Sequence, residues 1–171
     1  MRITTLLFHF FLFSIITNAQ DTQKVDSLLT IYNDAQSDVE LKVKVLGELY
    51  NVYLYDDREK AKEYLAMAKE ISEKNNYKKG IAFCRFQKGV LFHLRNEADS
   101  ASVYYQEAVD FYQKIDDKKM IAKARGNMAS IAYFRGEYKK AREITETCLR
   151  EDTINSYGSV SYTHLTLPTK A

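Results

Sequence analysis

The chain has 171 residues, 13% of them aromatic, and a formal net charge of +2. That length supports one compact domain with its own core, and the charge gives no global pull toward nucleic acid. One proline and six glycines favour long helices joined by short turns.

The N-terminus reads MRITTLLFHFFLFSIITNAQ. Arg2 supplies a positive start, and Leu6 to Ile16 is apolar apart from His9 and Ser14. Thr17, Asn18 and Ala19 then form a small-residue cleavage site, with Gln20 as the first mature residue. The run is too short for a membrane span of roughly 20 residues, so the anatomy is that of a secretory signal. Residues 1–19 are expected to be a signal peptide, and the protein to be exported, periplasmic or secreted. A membrane would be met only through an uncleaved leader or through a missing downstream segment. No cysteine follows the run to carry a lipid anchor.

Residues 20–40 are read as an N-terminal capping helix and turn, the helix running from Asp26 to Ala35 (DSLLTIYNDA). Beyond it, Ala61, Ala101 and Ala141 stand 40 residues apart. Lys78, Lys79, Ile81, Ala82, Arg85, Arg95, Glu97 and Ala101 recur as Lys118, Lys119, Ile121, Ala122, Arg125, Arg135, Glu137 and Ala141. A fixed period of this size marks an array of stacked supersecondary units. Residues 41–157 are assigned to it, with helices expected near 40–55, 58–75, 79–95, 98–115, 119–135 and 138–153.

Each repeat should break between a first and a second helix. Gly136 aligns with Asn96 and Asp56, and these residue types best tolerate the left-handed backbone just past a helix end. Asp56 and Glu59 have capping-box spacing at the start of the first such second helix. On the second helices, Ala101, Tyr105, Ala108, Tyr112 and Ile115 fall on one face. Ala61, Leu65 and Ala68 begin the same stripe in the first repeat, and Ala141, Ile144, Cys148 and Leu149 approximate it in the third. The alanines allow close helix crossings. The first helices carry the partner stripe at Leu46, Leu49 and Tyr53, at Ala82, Gly89 and Phe92, and at Met128 and Ala129.

From Ser161 the sequence SYTHLTLPTKA loses helical periodicity, and Pro168 would stop a helix. Residues 158–171 are expected to be a non-native or disordered tail, and the natural chain to continue past about Tyr157 with different residues. Chemistry is sparse. The glycines are isolated, and no nucleophile elbow, HExxH or CxxC occurs. Cys84 and Cys148 read as packed thiols, and His93 as a packed or groove-edge residue. No catalytic residue, cofactor or metal is expected. Asp116-Asp117 and Lys118-Lys119 read as a solvated inter-repeat turn.

Small-at-8, aromatic-at-11, Ala-at-20, aromatic-at-24 and Ala-at-27 resembles the tetratricopeptide pattern. Gly89, Phe92, Ala101, Tyr105 and Ala108 match it closely in the middle repeat. Ala129, Ala132, Gly136, Tyr138, Ala141 and Cys148 match it more loosely, as do Leu49, Tyr53, Ala61, Leu65 and Ala68, with one residue fewer in that corner. The period of 40 exceeds the family's usual length, and its closing proline is absent. The resemblance implies an all-α, right-handed solenoid of antiparallel helix pairs, about three repeats plus the N-terminal helix. It also implies a scaffold and not an enzyme, with a concave groove that takes a protein or peptide partner. Carried onto this chain, the groove positions are Asn51, Tyr55, Phe83, Phe86, Gln87, Val90, Leu94, Lys123, Asn127, Ser130 and Tyr133. Phe83 and Phe86 fit core and groove alike. Asn51 and Lys123 fall where some relatives clamp a peptide carboxylate, but Gly47 stands in place of that clamp's other lysine. No nucleic acid is expected in this segment. The alternative function is an extracytoplasmic sensory segment of a truncated membrane signalling protein, a histidine kinase or a transcriptional regulator.

Overall fold

The computed structural model describes residues 22–151. The signal peptide expected at 1–19 and the tail expected at 158–171 lie outside the described residues. Among those residues there are seven helices and no strand: α1 (22–34), α2 (Val39–Tyr53), α3 (Arg58–Lys74), α4 (Lys78–Leu94), α5 (Ala98–Lys114), α6 (Lys118–Phe134) and α7 (Tyr138–Glu151). The fold is all-helical and repeat-like. Packing divides the chain between Tyr77 and Lys78 into two compact units.

In the first unit α2 packs against α3. Leu46 and Leu49 of α2 and Ala61, Leu65 and Ala68 of α3 are buried as expected; Val43 and Tyr50 are buried as well, and Tyr53, the third residue of the expected α2 stripe, is half-buried. Ser72 is also buried, and its hydroxyl donates to the Ala68 carbonyl at 2.7 Å, so the polar group is satisfied within its own helix. α1 begins four residues before the expected Asp26 and buries Val25, and Ala35 is buried in the turn that follows it.

In the second unit α5 packs against both α4 and α6, and α6 packs against α7. One core joins Ala82 and Phe86 of α4, Ala101, Tyr105, Ala108, Val109 and Tyr112 of α5, and Ile121, Ala124 and Ile131 of α6. The α5 stripe is therefore as the 3.6-residue period demands. The third stripe needs a correction: Leu149 is 54% exposed, and the buried positions of α7 are Ala141 and Cys148. Leu149 directly follows Cys148, so the helical twist of about 100° per residue carries it off the packed face.

The left-handed closure recurs at more corners than the three to which the sequence reading assigns it. Asn76, Asn96, Asp116 and Gly136 all have positive φ, between 51° and 76°, and Gln36 does too. At each of the four corners from 76 onward the same pair of hydrogen bonds closes the helix. The left-handed residue donates three residues back, Asn76 to Glu73, Asn96 to His93, Asp116 to Gln113 and Gly136 to Tyr133. The next residue donates five back, Tyr77 to Ser72, Glu97 to Phe92, Asp117 to Tyr112 and Glu137 to Ala132, at 2.8–3.0 Å. This is the Schellman closure, which satisfies carbonyls a helix end would otherwise orphan. It occurs between repeats as well as inside them, every 20 residues from 76 to 136.

Asp56 departs from this scheme. It has no positive φ, and the corner at 54–57 is closed by Asp57 N–H donating to the Tyr53 carbonyl at 2.9 Å. That corner leaves four residues outside the helices, where 95–97 and 135–137 leave three, because α2 ends at Tyr53 itself whereas α4 runs on past Phe92 to Leu94. The cap is Asp57 rather than Asp56: its carboxylate accepts from Lys60 N–H at 3.0 Å. The Asp56–Glu59 box is therefore not the capping pair, since Lys60 stands three residues after the true cap. Asp38 and Asp117 cap α2 and α6 in the same way.

Candidate functional site

α5 is the support on which the site stands. Its Tyr105 is fully buried, and opposite it Gly89 of α4 leaves no room for a side chain: a Cβ there would lie 2.7 Å from the Tyr105 ring. The small residue lets α4 and α5 approach, and the Phe86 ring fills the space beside Tyr105 at 5.4 Å between centroids. The Tyr105 hydroxyl is hydrogen-bonded to the Asn127 side chain of α6 and lies 3.5 Å from His93 Nδ1 of α4. One buried tyrosine on α5 thus ties α4 to α6. Burial raises the Tyr105 pKa well above the ordinary phenol value, so the hydroxyl keeps its proton. Burial lowers the pKa of His93, which favours the neutral ring.

Because α4 and α6 share α5 as a neighbour, each turns one side inward and leaves another side open. The expected groove residues divide between these sides. Phe86 is 2% exposed and belongs to the core, and Gln87 is buried beside it. Phe83, Val90 and Leu94 on α4 are half-buried, as are Asn127, Ser130 and Tyr133 on α6. Lys123 is exposed, and its ammonium sits 5.2 Å above the Phe86 ring, a cation–π contact that bridges the two helices on their open side. Tyr133 meets Phe134 and Tyr138 edge-on at 5.8 and 5.4 Å. Phe134 is 80% exposed and was not among the expected residues. In the first unit Asn51 is exposed on α2, and Tyr55 is 72% exposed in the corner at 54–57, outside any helix.

Charge is unevenly distributed over these helices. With 23 Asp and Glu in 171 residues, the chain average puts about two in a helix of 17. α4 and α6, each of 17 residues, have none, and each carries four lysines or arginines. By contrast α2, α3 and α5 open with Glu40, Glu59 and Asp99 in their first turns, where the helix dipole favours an anion. α4 and α6 open with Lys78-Lys79 and Lys118-Lys119, against that preference. Arg85 is paired with Glu107 of α5 at 3.0 Å, and the Lys88 ammonium lies 4.5 Å over the Tyr104 ring of α5. Lys79, Lys119 and Lys123 are exposed at the positions that precede and continue the open stripe. At the other end of the helices, the carboxylates of the corners are ion-paired: Glu97 with Arg95, and Asp99 and Glu137 with Arg135.

A separate cleft of about 330 Å³ is lined by Gln113, Asp116, Lys118, Ile121, Arg125 and Cys148, among others. Cys84 and Cys148 are buried and are not joined in a disulfide. Among the described residues no group of three or more His, Cys, Asp or Glu side chains is placed to hold a metal, and no helix is long and apolar enough to cross a membrane.

No protein-family model and no curated protein matches this chain. Among solved structures, it is similar to the crystal structure of BtubC (BKLC) from P. vanneervenii, with a TM-score of 0.61 and 21% identity. The match covers 80% of this chain and 59% of that one, so the chain spans about three fifths of that protein's length. At that identity the likeness is one of fold alone.

Proposed function

We propose that this chain is an exported scaffold, a right-handed array of tetratricopeptide-like helix pairs, whose first helices bind a protein or peptide segment. Export rests on the leader composition of residues 1–19, and the array on the 40-residue period. The observation that carries the binding reading is the open side of α4 and α6. There Phe83, Val90 and Leu94 of α4 and Tyr133 of α6 are half-buried, and Phe134, edge-on to Tyr133, is exposed. Half-buried apolar side chains next to adaptable polar ones such as Ser130 suit the capture of another chain, with the aromatic residues as anchors.

The test is selection of a random peptide library on the immobilised full chain. Binders should be recovered, and Phe83→Ala with Tyr133→Ala should weaken them about tenfold or more while helical circular dichroism is retained. Neither residue belongs to the Tyr105 core. Binding that survives both substitutions would place the site elsewhere, and a library that yields no binder would end the reading.

A further inference from the structure

We infer that the side of α7 carrying Tyr138, Arg142, Thr145 and Leu149 docks on the same side of α7 in a second copy of this chain, the two helices antiparallel about a two-fold axis. The inference uses a different helix from the partner-binding reading and stands without it. It starts from a comparison within the second unit. α5 and α7 are equivalent in the 40-residue period, so Ala98, Ser102, Tyr105 and Val109 correspond to Tyr138, Arg142, Thr145 and Leu149. On α5, Tyr105 and Val109 are fully buried in the core that α6 completes. On α7 no described helix takes the place of α6, and Tyr138 and Leu149 are each 54% exposed. The residue types have not turned polar to suit that exposure. Tyrosine replaces alanine and leucine replaces valine, so this side of α7 is larger and more apolar at both ends than its covered counterpart. A helix left facing water in a repeat array needs a polar outer side instead.

The order of charges along the stripe says what covers it. Residues 138, 142, 145 and 149 fall within about 60° of one another around the helix, and Glu146 lies at their edge, on the flank of Arg142. From one end the stripe reads apolar, cation, anion, apolar, as Tyr138, Arg142, Glu146 and Leu149. Turned end for end against itself, it sets Tyr138 against the second copy's Leu149 and Arg142 against its Glu146, and the two-fold axis makes each contact twice. A parallel pair would set Arg142 against Arg142 and Glu146 against Glu146, and charges beside a helix seam decide such orientations. Thr145 sits near the axis; it is small, and its hydroxyl is already satisfied by the Ala141 carbonyl, so the helices can approach there. Glu146 also faces Arg150 of its own helix, but at 3.9 Å and exposed, a pair that contributes little. A uniformly charged partner, such as a nucleic acid or an anionic membrane, would find no match in the alternating signs.

The experiment is sedimentation velocity of the full chain over a concentration series, with circular dichroism of each variant to check helicity. A seam of one helix from each copy is small, so the native chain should pass from monomer to dimer over roughly 1–100 μM. Leu149→Glu should weaken the dimer about tenfold or more. Arg142→Glu and Glu146→Arg, made singly, should each do the same, because like charges then face one another twice across the axis. Mixed in equal amounts, those two variants should regain the dimer, since each supplies the charge that the other lacks. Val103→Glu, at an exposed apolar position of α5, should leave the dimer intact. If Leu149→Glu loses helicity, the two charge variants and their mixture decide alone. A native chain that stays monomeric throughout, a dimer that the α7 variants leave untouched, or a mixture no more associated than its components would overturn the inference. So would a monomer whose Tm falls on Leu149→Glu, because another part of the chain would then cover this side of α7.

Discussion

α5 and α7 occupy equivalent places in the 40-residue period, yet they are buried to different depths. α5 lies between α4 and α6 and buries Ala101, Tyr105, Ala108, Val109 and Tyr112. α7 packs extensively on α6 alone among the described helices, and buries Ala141 and Cys148. Where α5 has Tyr105, α7 has Thr145, half-buried and turned to its own backbone by a 2.9 Å hydrogen bond to the Ala141 carbonyl. A repeat position therefore does not carry a fixed weight. It contributes according to how many neighbours its helix has, and the residue type follows.

The largest effect that sharpens this contrast should come from overpacking. Ala101→Leu is expected to cost about 1–3 kcal/mol, because α5 is enclosed on both sides. Ala141→Leu should cost distinctly less, and Ser102→Leu, on a half-buried position, least of the three. Thermal melting of the three variants checks the order, and equal losses at Ala101 and Ala141 would erase the distinction between the two helices.

Gly89→Ala tests the same enclosure from the α4 side. A helix gains about 1 kcal/mol in propensity from such an exchange. Here the added Cβ would meet a buried ring at 2.7 Å, so the net effect should be a loss of about 1 kcal/mol or more. Urea denaturation measures it, and a stabilised variant would mean that Tyr105 has room to swing aside.

The smallest effect concerns His93. Its folded pKa lies below the ordinary 6.5 because burial disfavours the charged ring. Below that value the unfolded chain binds a proton that the folded chain resists. The stability is thus fully present above about pH 6.5 and falls as the pH drops toward the folded value. The decrease in Tm between about pH 7.5 and about pH 5.5 should be smaller in His93→Gln than in the native chain. An identical decrease in both would place the titrating group elsewhere.

Much of this was legible before the structure, for identifiable reasons. The α5 stripe could be read because small and aromatic residues alternate at helical spacing with charges between them. Asn96 and Gly136 could be placed at corners because their residue types suit a positive φ. Asp56 could not be told from Asp57, since two adjacent acids both suit a cap and only the earlier end of α2 at Tyr53 decides between them. The breaks near 76 and 116 were expected, but not their left-handed closure at Asn76 and Asp116, because a 40-residue period conceals a 20-residue one. Phe86 stands at the boundary between the inward and open sides of α4, where periodicity alone cannot say which way a ring turns. The exclusion of carboxylates from α4 and α6 was readable in the letters themselves, but a net charge of +2 over the chain averages it away.

The extensive helix contacts all join sequence neighbours, α2 with α3, α4 with α5, α5 with α6 and α6 with α7. Such wiring has a kinetic meaning. Helices meet partners only a corner away, so little loop entropy opposes their first encounter, and folding should be fast for a chain of this length. Among the described helices, the same wiring leaves no extensive contact between elements distant in sequence. Amide hydrogens of α7 should exchange through fraying of that helix alone, while those of α5 wait for the opening of its neighbours.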